Sequence, residues 1–260
     1  MLAVDVGNSR LKWADISEAG VQSHGVFSYD GSDFESRLDE SELVSLLSDV
    51  SISCVASTDI KSRLVKWLKQ NGCTQISFAE TKLEQCGVVN SYATPEKMGV
   101  DRWLAMIAAR SLYNADTRSS ICVIDCGTAI TIDVIEVNGN HMGGLIMPGY
   151  QTMVASLGLS TGNIQSAEAG QLGHELNQGL GWSTGSGVSK GCAQMIAGGV
   201  LMILENYAHL TSGLSGEGMT CVFTGGDGEW LMECCQAKLS SRKVAFAPYL
   251  VMQGLYFTSL

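Results

Sequence analysis

The sequence predicts an α/β protein with two duplicated domains, and a repeated motif is the main reason for this prediction. Residues 2–9 read LAVDVGNS and residues 122–129 read CVIDCGTA, so a short apolar run ending in Asp-x-Gly occurs twice, 120 positions apart. Strand-like and helix-like segments also follow one another along the chain, which is typical of α/β architectures. We therefore expect two domains, residues 1–115 and 116–260, that face one nucleotide.

The composition argues against several classes of protein. A hydrophobic content of 45% with 30 glycines and 3 prolines is typical of a globular chain. The net charge of −10 argues against a nucleic-acid partner, which would need a basic face, although glycine turns and a metal can hold nucleotide phosphates on an acidic protein. The 9 cysteines lack zinc-site spacing, and we expect them to be reduced.

We also expect a cytoplasmic protein without a membrane partner. The start MLAVDVGNSR lacks the basic and apolar regions of a signal peptide. The apolar run at Cys192–Leu204 is shorter than the about 20 residues that a membrane span requires, and we interpret it as a buried helix.

The first half is predicted to open with a hairpin, because Leu2–Val4 and Leu11–Ile16 are strand-like and flank a polar turn. The segments that follow are predicted as a strand at Gly20–Ser32, a helix at Phe34–Leu47, a strand at Ser51–Ser57 and a helix at Ile60–Gln70.

The turn of this hairpin contains residues suited to a triphosphate. Gly7 lets the backbone approach a ligand, Asn8 and Ser9 supply donors, and Lys12 supplies positive charge. Asp5 could hold Mg²⁺ directly or through water. The alternative interpretation is an ordinary hairpin tip with a solvated lysine.

A helix is predicted to begin at Asp101, after Pro95 and Gly99 interrupt the preceding segment. Aspartate is a favoured N-cap residue, so one interpretation of Asp101 is purely structural. The other is a general base beside Arg102, poised to accept a proton from a substrate alcohol. Tyr92 lies in the loop before the helix and could line a pocket.

The second turn lies within Ile121–Val134, ICVIDCGTAITIDV, which predicts two buried strands joined tightly. Gly127 allows close approach, Thr128 offers a hydroxyl and an N–H to phosphate, and Asp125 offers a charge to a cation. A polar hairpin between core strands is the alternative interpretation.

The remaining segments are predicted from glycine, proline and apolar patterns. They are a strand at His141–Tyr150, a helix to Leu157 with a loop to residue 173, a strand in Cys221–Glu229 that ends in Thr224-Gly225-Gly226, a strand at Lys243–Phe246 and a helix at Pro248–Tyr256. Gly179–Gly191 is either a linker or a substrate loop before a helix from about Val188, with Thr184 as a contact. Glycines after Thr224 either pass close to an adenosine or turn the chain.

Four motifs in order give the chain a resemblance to a known family. They are DVGNSRLK at 5–12, GVDR at 99–102, DCGTAITID at 125–133 and GGLIMPG at 143–149. With them the sequence resembles the type III pantothenate kinases, of the superfamily of acetate and sugar kinases and actin. The resemblance implies two ribonuclease-H-like (actin-like ATPase) domains with a nucleotide cleft between them. It also implies ATP-dependent phosphorylation of pantothenate to 4'-phosphopantothenate, Mg²⁺ with ATP, and a homodimer.

The resemblance also implies roles for residues that match the family's motifs. ATP contacts are implied for Asp5, Val6, Gly7, Asn8, Ser9, Arg10, Leu11, Lys12 and Thr128, and pantothenate contacts for Tyr92, Gly99, Val100, Asp101, Arg102 and Thr184. Asp101 matches the family's proton acceptor, and Asp125 matches the residue that holds a K⁺ or NH₄⁺ ion.

Two rival functions remain from the sequence. One is a non-catalytic ATP-binding regulator of the Bvg accessory factor type. The other is a kinase for another small alcohol or acid, or a phosphatase, on the same scaffold, because one fold hosts many substrates. The stretch Tyr92–Arg102 favours pantothenate.

Overall fold

The computed structural model describes residues 1–47, 49–113, 119–160, 179–211 and 218–260. Two compact units make up the chain: a first unit of Met1–Leu112 with Tyr249–Leu260, and a second unit of Tyr113–Pro248. The prediction that residues 116–260 form one domain is therefore wrong at its C-terminal end. The last helix belongs to the first unit because it packs against three strands of that unit's sheet.

The first unit is built around a five-stranded sheet of order β3-β2-β1-β4-β5. The β1–β2 and β2–β3 pairs are antiparallel, whereas the β1–β4 and β4–β5 pairs are parallel. Its strands are β1 (Leu2–Val6), β2 (Arg10–Ser17), β3 (Gly20–Ser28), β4 (Asp49–Cys54) and β5 (Gln75–Phe78), with a small hairpin of β6 (Glu84–Gln85) and β7 (Val88–Val89). Its helices are α1 (Phe34–Glu40), α2 (Thr58–Gln70), α3 (Val100–Tyr113) and α7 (Leu250–Ser259), with 3₁₀ turns at Glu42–Leu46 and Pro95–Lys97.

Helix α2 shows why these residues fold as predicted. Ser57 caps its first turn by accepting a hydrogen bond from the Ile60 N–H. Its apolar residues, among them Leu64 and Leu68, recur at helical spacing and are buried in the core of the first unit. The single helix predicted at Phe34–Leu47 is instead two shorter pieces that Ser41 separates.

The second unit has a five-stranded sheet of order β10-β9-β8-β11-β12. Its strands are β8 (Ser120–Cys126), β9 (Ala129–Ile135), β10 (His141–Pro148), β11 (Met219–Thr224) and β12 (Lys243–Phe246). Its helices are α4 (Tyr150–Ser160), α5 (Thr184–Thr211) and α6 (Gly228–Gln236). The β8–β9 and β9–β10 pairs are antiparallel, whereas the β8–β11 and β11–β12 pairs are parallel.

The two sheets therefore repeat each other strand for strand, which confirms the predicted duplication. Asp5 and Asp125 occupy equivalent positions, because each is the penultimate residue of the first strand of its sheet. Each is followed by a short turn and an antiparallel strand.

The predictions for the second unit have different outcomes. The apolar run at Cys192–Leu204 is part of a 28-residue helix, α5, that buries one face in the core and exposes the other. By length and composition alone, the segment Thr184–Tyr207 of this helix is long and apolar enough to cross a membrane. The strand in Cys221–Glu229 ends at Thr224, as predicted, whereas α6, which follows it from Gly228, was not predicted. The loop expected to residue 173 lies, from residue 161 onward, outside the described residues.

Candidate functional site

The first turn is closed by a backbone hydrogen bond. The Gly7 N–H donates to the Arg10 carbonyl at 3.0 Å, and a Cβ built on Gly7 would lie 3.3 Å from that same oxygen. A larger residue at position 7 would therefore crowd the turn.

Asp5 is held in place by residues on both neighbouring strands. It pairs in register with Lys12 on β2 and with Ser53 on β4. The Ser53 hydroxyl donates to Asp5 Oδ1 at 2.8 Å, and Ser53 is fully buried. The sequence analysis missed Ser53, because only the parallel register between β1 and β4 shows that it lies beside Asp5.

Tyr29 is a second residue that the sequence analysis missed. Its N–H donates to the Ser9 carbonyl at 3.1 Å, and its phenol donates to the Gly7 carbonyl. Burial raises the pKa of the Tyr29 phenol, and the nearby Cys54 and Asp5 raise that pKa further. Tyr29 follows directly after the end of β3, so the antiparallel β2–β3 pairing brings it to the turn.

Tyr92 and Arg102 are brought together, as two residues of one predicted site should be. Arg102 is buried and donates from Nη1 to the Tyr92 hydroxyl at 3.0 Å. Its guanidinium carbon lies 5.8 Å from the centre of the Tyr92 ring. Asn90, also buried, accepts the Tyr92 N–H at 2.9 Å and so fixes the start of this loop.

Asp101 lies in the first turn of α3 rather than at its N-cap, because the helix begins at Val100. Its Oδ1 accepts the Arg102 N–H at 2.8 Å, so the carboxylate does stabilise the helix start. A Cβ built on Gly99 would lie 2.5 Å from that oxygen. Glycine at position 99 is therefore needed for the carboxylate to sit where it does.

The second turn is packed against the residue that follows β10. The Gly149 N–H donates to the Thr128 carbonyl at 2.9 Å, and the Thr152 hydroxyl donates to the same oxygen at 2.7 Å. A Cβ on Gly149 would clash with the carbonyl oxygens of Gly127 and Thr128. The end of the motif at 143–149 thus packs directly against the second turn.

Asp125 is supported by the glycine turn after β11. Gly225 has φ +87°, and a Cβ there would lie 2.5 Å from Asp125 Oδ1 and would also clash with the Cys126 carbonyl. The Asp227 N–H donates to that carbonyl at 3.1 Å. The positive φ of Gly225 turns the chain, as one interpretation predicted, and the contact with an adenosine stays a prediction.

The donor atoms at these two positions are of the type that hard cations take. Asp5 presents a carboxylate beside the first turn, and Asp125 presents one beside the second. Among the described residues, no group of three or more His, Cys, Asp or Glu side chains could hold a metal. A Mg²⁺ at Asp5 would therefore take most of its ligands from nucleotide phosphates and water.

Thr184 is the exposed first residue of α5, and the two serines around it form a cap. The Ser183 N–H donates to Ser186 Oγ at 3.0 Å, and the Ser186 N–H donates to Ser183 Oγ at 3.2 Å. Thr184 belongs to the second unit with Thr128 and Asp125, whereas the other predicted site residues belong to the first.

Comparison with known proteins gives consistent results. A family model described as type III pantothenate kinase matches residues 1–206. A type III pantothenate kinase of Methylobacillus flagellatus is 33% identical over 263 residues, covering 99% of this chain and 96% of the relative.

Two solved structures show a similar fold. One, from Campylobacter jejuni, is described as a Baf family transcriptional activator, with TM-score 0.54, 18% identity and coverage of 98% of this chain and 96% of the other. One from Sinorhizobium meliloti is described as a 2-dehydro-3-deoxygalactonokinase, with TM-score 0.51, 13% identity and coverage of 99% and 97%. At these identities the similarity shows the fold alone, and it confirms the predicted actin-like class of α/β fold.

Proposed function

The chain belongs to the type III pantothenate kinase family, and we propose how its described residues divide the work of that reaction. The reaction is the ATP-dependent phosphorylation of pantothenate to 4'-phosphopantothenate in coenzyme A biosynthesis. The protein is thus a phosphotransferase with an alcohol acceptor. The membership does not favour the non-catalytic regulator or a kinase for another substrate.

The cluster of Tyr92, Asp101 and Arg102 is the observation that supports the residue assignments most. A buried arginine held by a tyrosine hydroxyl is a fixed positive group, and pantothenate carries a carboxylate and an amide that such a group can bind. Gly99 and Val100 complete the contacts of this segment. Thr184 contacts pantothenate from the second unit.

Asp101 accepts the proton of the pantothenate alcohol in our proposal. The alcohol oxygen forms a bond to the γ-phosphorus of ATP, the bond from that phosphorus to the β–γ bridging oxygen breaks, and ADP leaves. In phosphoryl transfer, positioning and charge stabilisation supply most of the catalysis. The absence of a Cβ at Gly99 leaves the space that this carboxylate occupies.

ATP is held by the two repeated turns. In the first, residues Asp5, Val6, Gly7, Asn8, Ser9, Arg10, Leu11 and Lys12 supply backbone and side-chain contacts to phosphate. In the second, Thr128 supplies a hydroxyl and an N–H.

Two cations are part of the proposal. Asp5 would hold Mg²⁺, which would neutralise the phosphate charge of ATP. Asp125 would hold a monovalent cation, K⁺ or NH₄⁺.

We propose that the protein is a cytoplasmic homodimer without a nucleic-acid or membrane partner. The outer stripe of α5, formed by Gly191, Met195, Gly198 and Met202, is exposed and uncharged, and its spacing of four, three and four residues places it on one helix face. Trp182, 97% exposed, adds apolar surface in the same unit. Such surface favours a self-complementary interface between copies.

The proposal is tested by measuring ATP consumption by the purified protein with Mg²⁺ and K⁺, with and without pantothenate. We expect turnover that depends on pantothenate and falls when Na⁺ replaces K⁺. Turnover without a potassium effect would remove the cation role of Asp125 and keep the kinase. ATP binding without pantothenate turnover, in parallel with assays on acetate and sugars, would contradict the substrate assignment.

A further inference from the structure

Tyr29 holds the first turn at two points. Its N–H donates to the Ser9 carbonyl and its phenol donates to the Gly7 carbonyl, so one residue binds two carbonyls of the same turn. The residue is 7% exposed, and its ring packs edge-on against Phe34 with the ring centres 4.8 Å apart. The ring is thereby fixed, and the phenol is held on the turn.

The orientation of these carbonyls sets the direction of other groups. Within a planar trans peptide, the carbonyl of one residue and the N–H of the next point in roughly opposite directions. The Gly7 carbonyl accepts from the Tyr29 phenol, so the Asn8 N–H of the same peptide group points away from that phenol. This donor of the turn is in this way directed to the side that the phenol does not occupy, where an anion can accept from it.

We propose that Tyr29 is a positioning residue for ATP, because its phenol orients the Gly7–Asn8 peptide group of the first turn, whose N–H donor binds a phosphate oxygen. This inference rests on the proposed role of the first turn in ATP binding. Tyr29 itself does not touch the nucleotide in this proposal, and it acts through the Gly7–Asn8 peptide group.

The chemistry of the phenol is consistent with this role. Burial raises the pKa of Tyr29 above its ordinary value of 10.0, so the phenol stays protonated and remains a donor at neutral pH. A donor is what the Gly7 carbonyl requires. The phenylalanine variant keeps the ring and its packing on Phe34 and removes this donor alone.

A positioning role and a purely structural role predict different kinetics. Loss of the phenol should loosen the turn, raise the KM for ATP and leave the KM for pantothenate and kcat near their original values. A typical hydrogen bond is worth about 1 kcal/mol, so we expect the KM for ATP to rise about three- to tenfold. A structural role alone would lower the melting temperature without this selective change.

The experiment compares Tyr29→Phe with a matched control, Tyr249→Phe. The Tyr249 hydroxyl also has a hydrogen-bond partner in the first unit, His24 Nε2 at 2.7 Å, and His24 pairs in register with Ala14 of β2 rather than with the turn. Both variants are assayed for KM and kcat, and for the rise in melting temperature that ATP produces. If Tyr29→Phe does not fold, Phe34→Leu, which loosens the packing of the Tyr29 ring, should raise the KM for ATP by a smaller factor.

The outcomes separate the inference from the proposal on which it rests. An increase in the KM for ATP in Tyr29→Phe but not in Tyr249→Phe supports the positioning role. An unchanged KM for ATP in Tyr29→Phe, with a raised value in Lys12→Ala, overturns the inference and keeps the turn as an ATP site. No effect in either Tyr29→Phe or Lys12→Ala would overturn both.

Discussion

Asp101 has two physical roles at the residue scale, and they can be separated. Its carboxylate lies in the first turn of α3, where the helix dipole favours negative charge, and it accepts the Arg102 N–H. The interpretation of Asp101 as an N-cap correctly described a residue that stabilises the helix start, although Asp101 lies in the first turn rather than at the N-cap. The proposed proton acceptor is an additional role that a stability measurement alone cannot reveal.

We expect Asp101→Asn to lower kcat about 100-fold or more, because general-base catalysis commonly contributes at least that factor. The variant should still bind ATP, since Asp101 lies outside the two phosphate turns. Turnover is measured by ATP consumption with pantothenate, and ATP binding by the shift in melting temperature.

Asp59→Asn is a matched control for this prediction. Asp59 is the second residue of α2, as Asp101 is of α3, and each is the acidic residue in the first turn of its helix. The control should lose a similar helix-dipole stabilisation and keep full turnover. Near-normal turnover in Asp101→Asn would refute the assignment of the base.

At the scale of elements, the second turn is held by the junction between β10 and α4. Gly149→Ala would place a methyl group against the carbonyls of Gly127 and Thr128. Such overpacking typically destabilises a protein by about 1–3 kcal/mol. We expect a lower melting temperature and weaker ATP binding, measured by thermal unfolding and by the KM for ATP.

Gly199→Ala is the control, since a Cβ at this helical position in α5 meets no atom within 4 Å. Alanine is favoured over glycine in a helix by about 1 kcal/mol, so this variant should be as stable as the original protein or more so. Equal ATP binding in Gly149→Ala and Gly199→Ala would argue against a tightly packed second turn.

Helices α1 and α2 are joined by an ion pair that gives a pH-dependent prediction. The Arg63 guanidinium is hydrogen-bonded to Glu35, and this contact lowers the pKa of the Glu35 carboxyl below its ordinary value of 4.5. A lowered pKa in the folded state stabilises the protein above about pH 4.5, and the stabilisation is lost as the pH falls through the folded-state pKa.

We therefore expect Glu35→Gln to lower the melting temperature at neutral pH by an amount that shrinks as the pH falls below about 4.5. The measurement is thermal unfolding of both proteins between neutral pH and about pH 3. Glu40→Gln serves as the control on the same helix, because its carboxylate is more exposed and a surface ion pair contributes little. A difference that grows toward acid would contradict the assignment.

At the scale of the whole molecule, the sequence was informative wherever the chain repeats a local pattern. The two Asp-x-Gly turns predicted the duplication, and the glycine spacing predicted turns around Gly149 and Gly225. Local patterns could not predict that α7 belongs to the first unit, because this depends on packing between residues far apart in sequence.

The residues that support the site were also beyond local patterns. Ser53 and Tyr29 reach the first turn only through strand register, across 48 and 22 positions of sequence. A serine in a buried strand and a tyrosine at a strand end are common, so the sequence alone does not distinguish either residue as part of a site. Helix α6 was missed because its first residue is a glycine in a run that looked like a turn.

The outer stripe of α5 leads to a prediction about assembly. A helix with one face in a core normally has charged residues on its other face, yet this stripe consists of glycine and methionine. Glycines let two helix backbones approach closely, and methionines adapt to an irregular partner surface. Two copies of the stripe could therefore pack on each other across a twofold axis.

We expect the double variant Met195→Lys, Met202→Lys to be a monomer in solution, because desolvating lysines at the centre of an apolar interface is unfavourable. The original protein should be a dimer, as measured by light scattering coupled to size-exclusion chromatography. Glu229→Lys changes the net charge by the same amount at an exposed position of α6 in the same unit, so it is the control and should remain a dimer. Each melting temperature is compared at two protein concentrations, since dissociation makes the stability of a dimer depend on concentration. A double variant that remains a dimer would show that the interface lies elsewhere, whereas an original protein that is a monomer at every concentration would refute the homodimer itself.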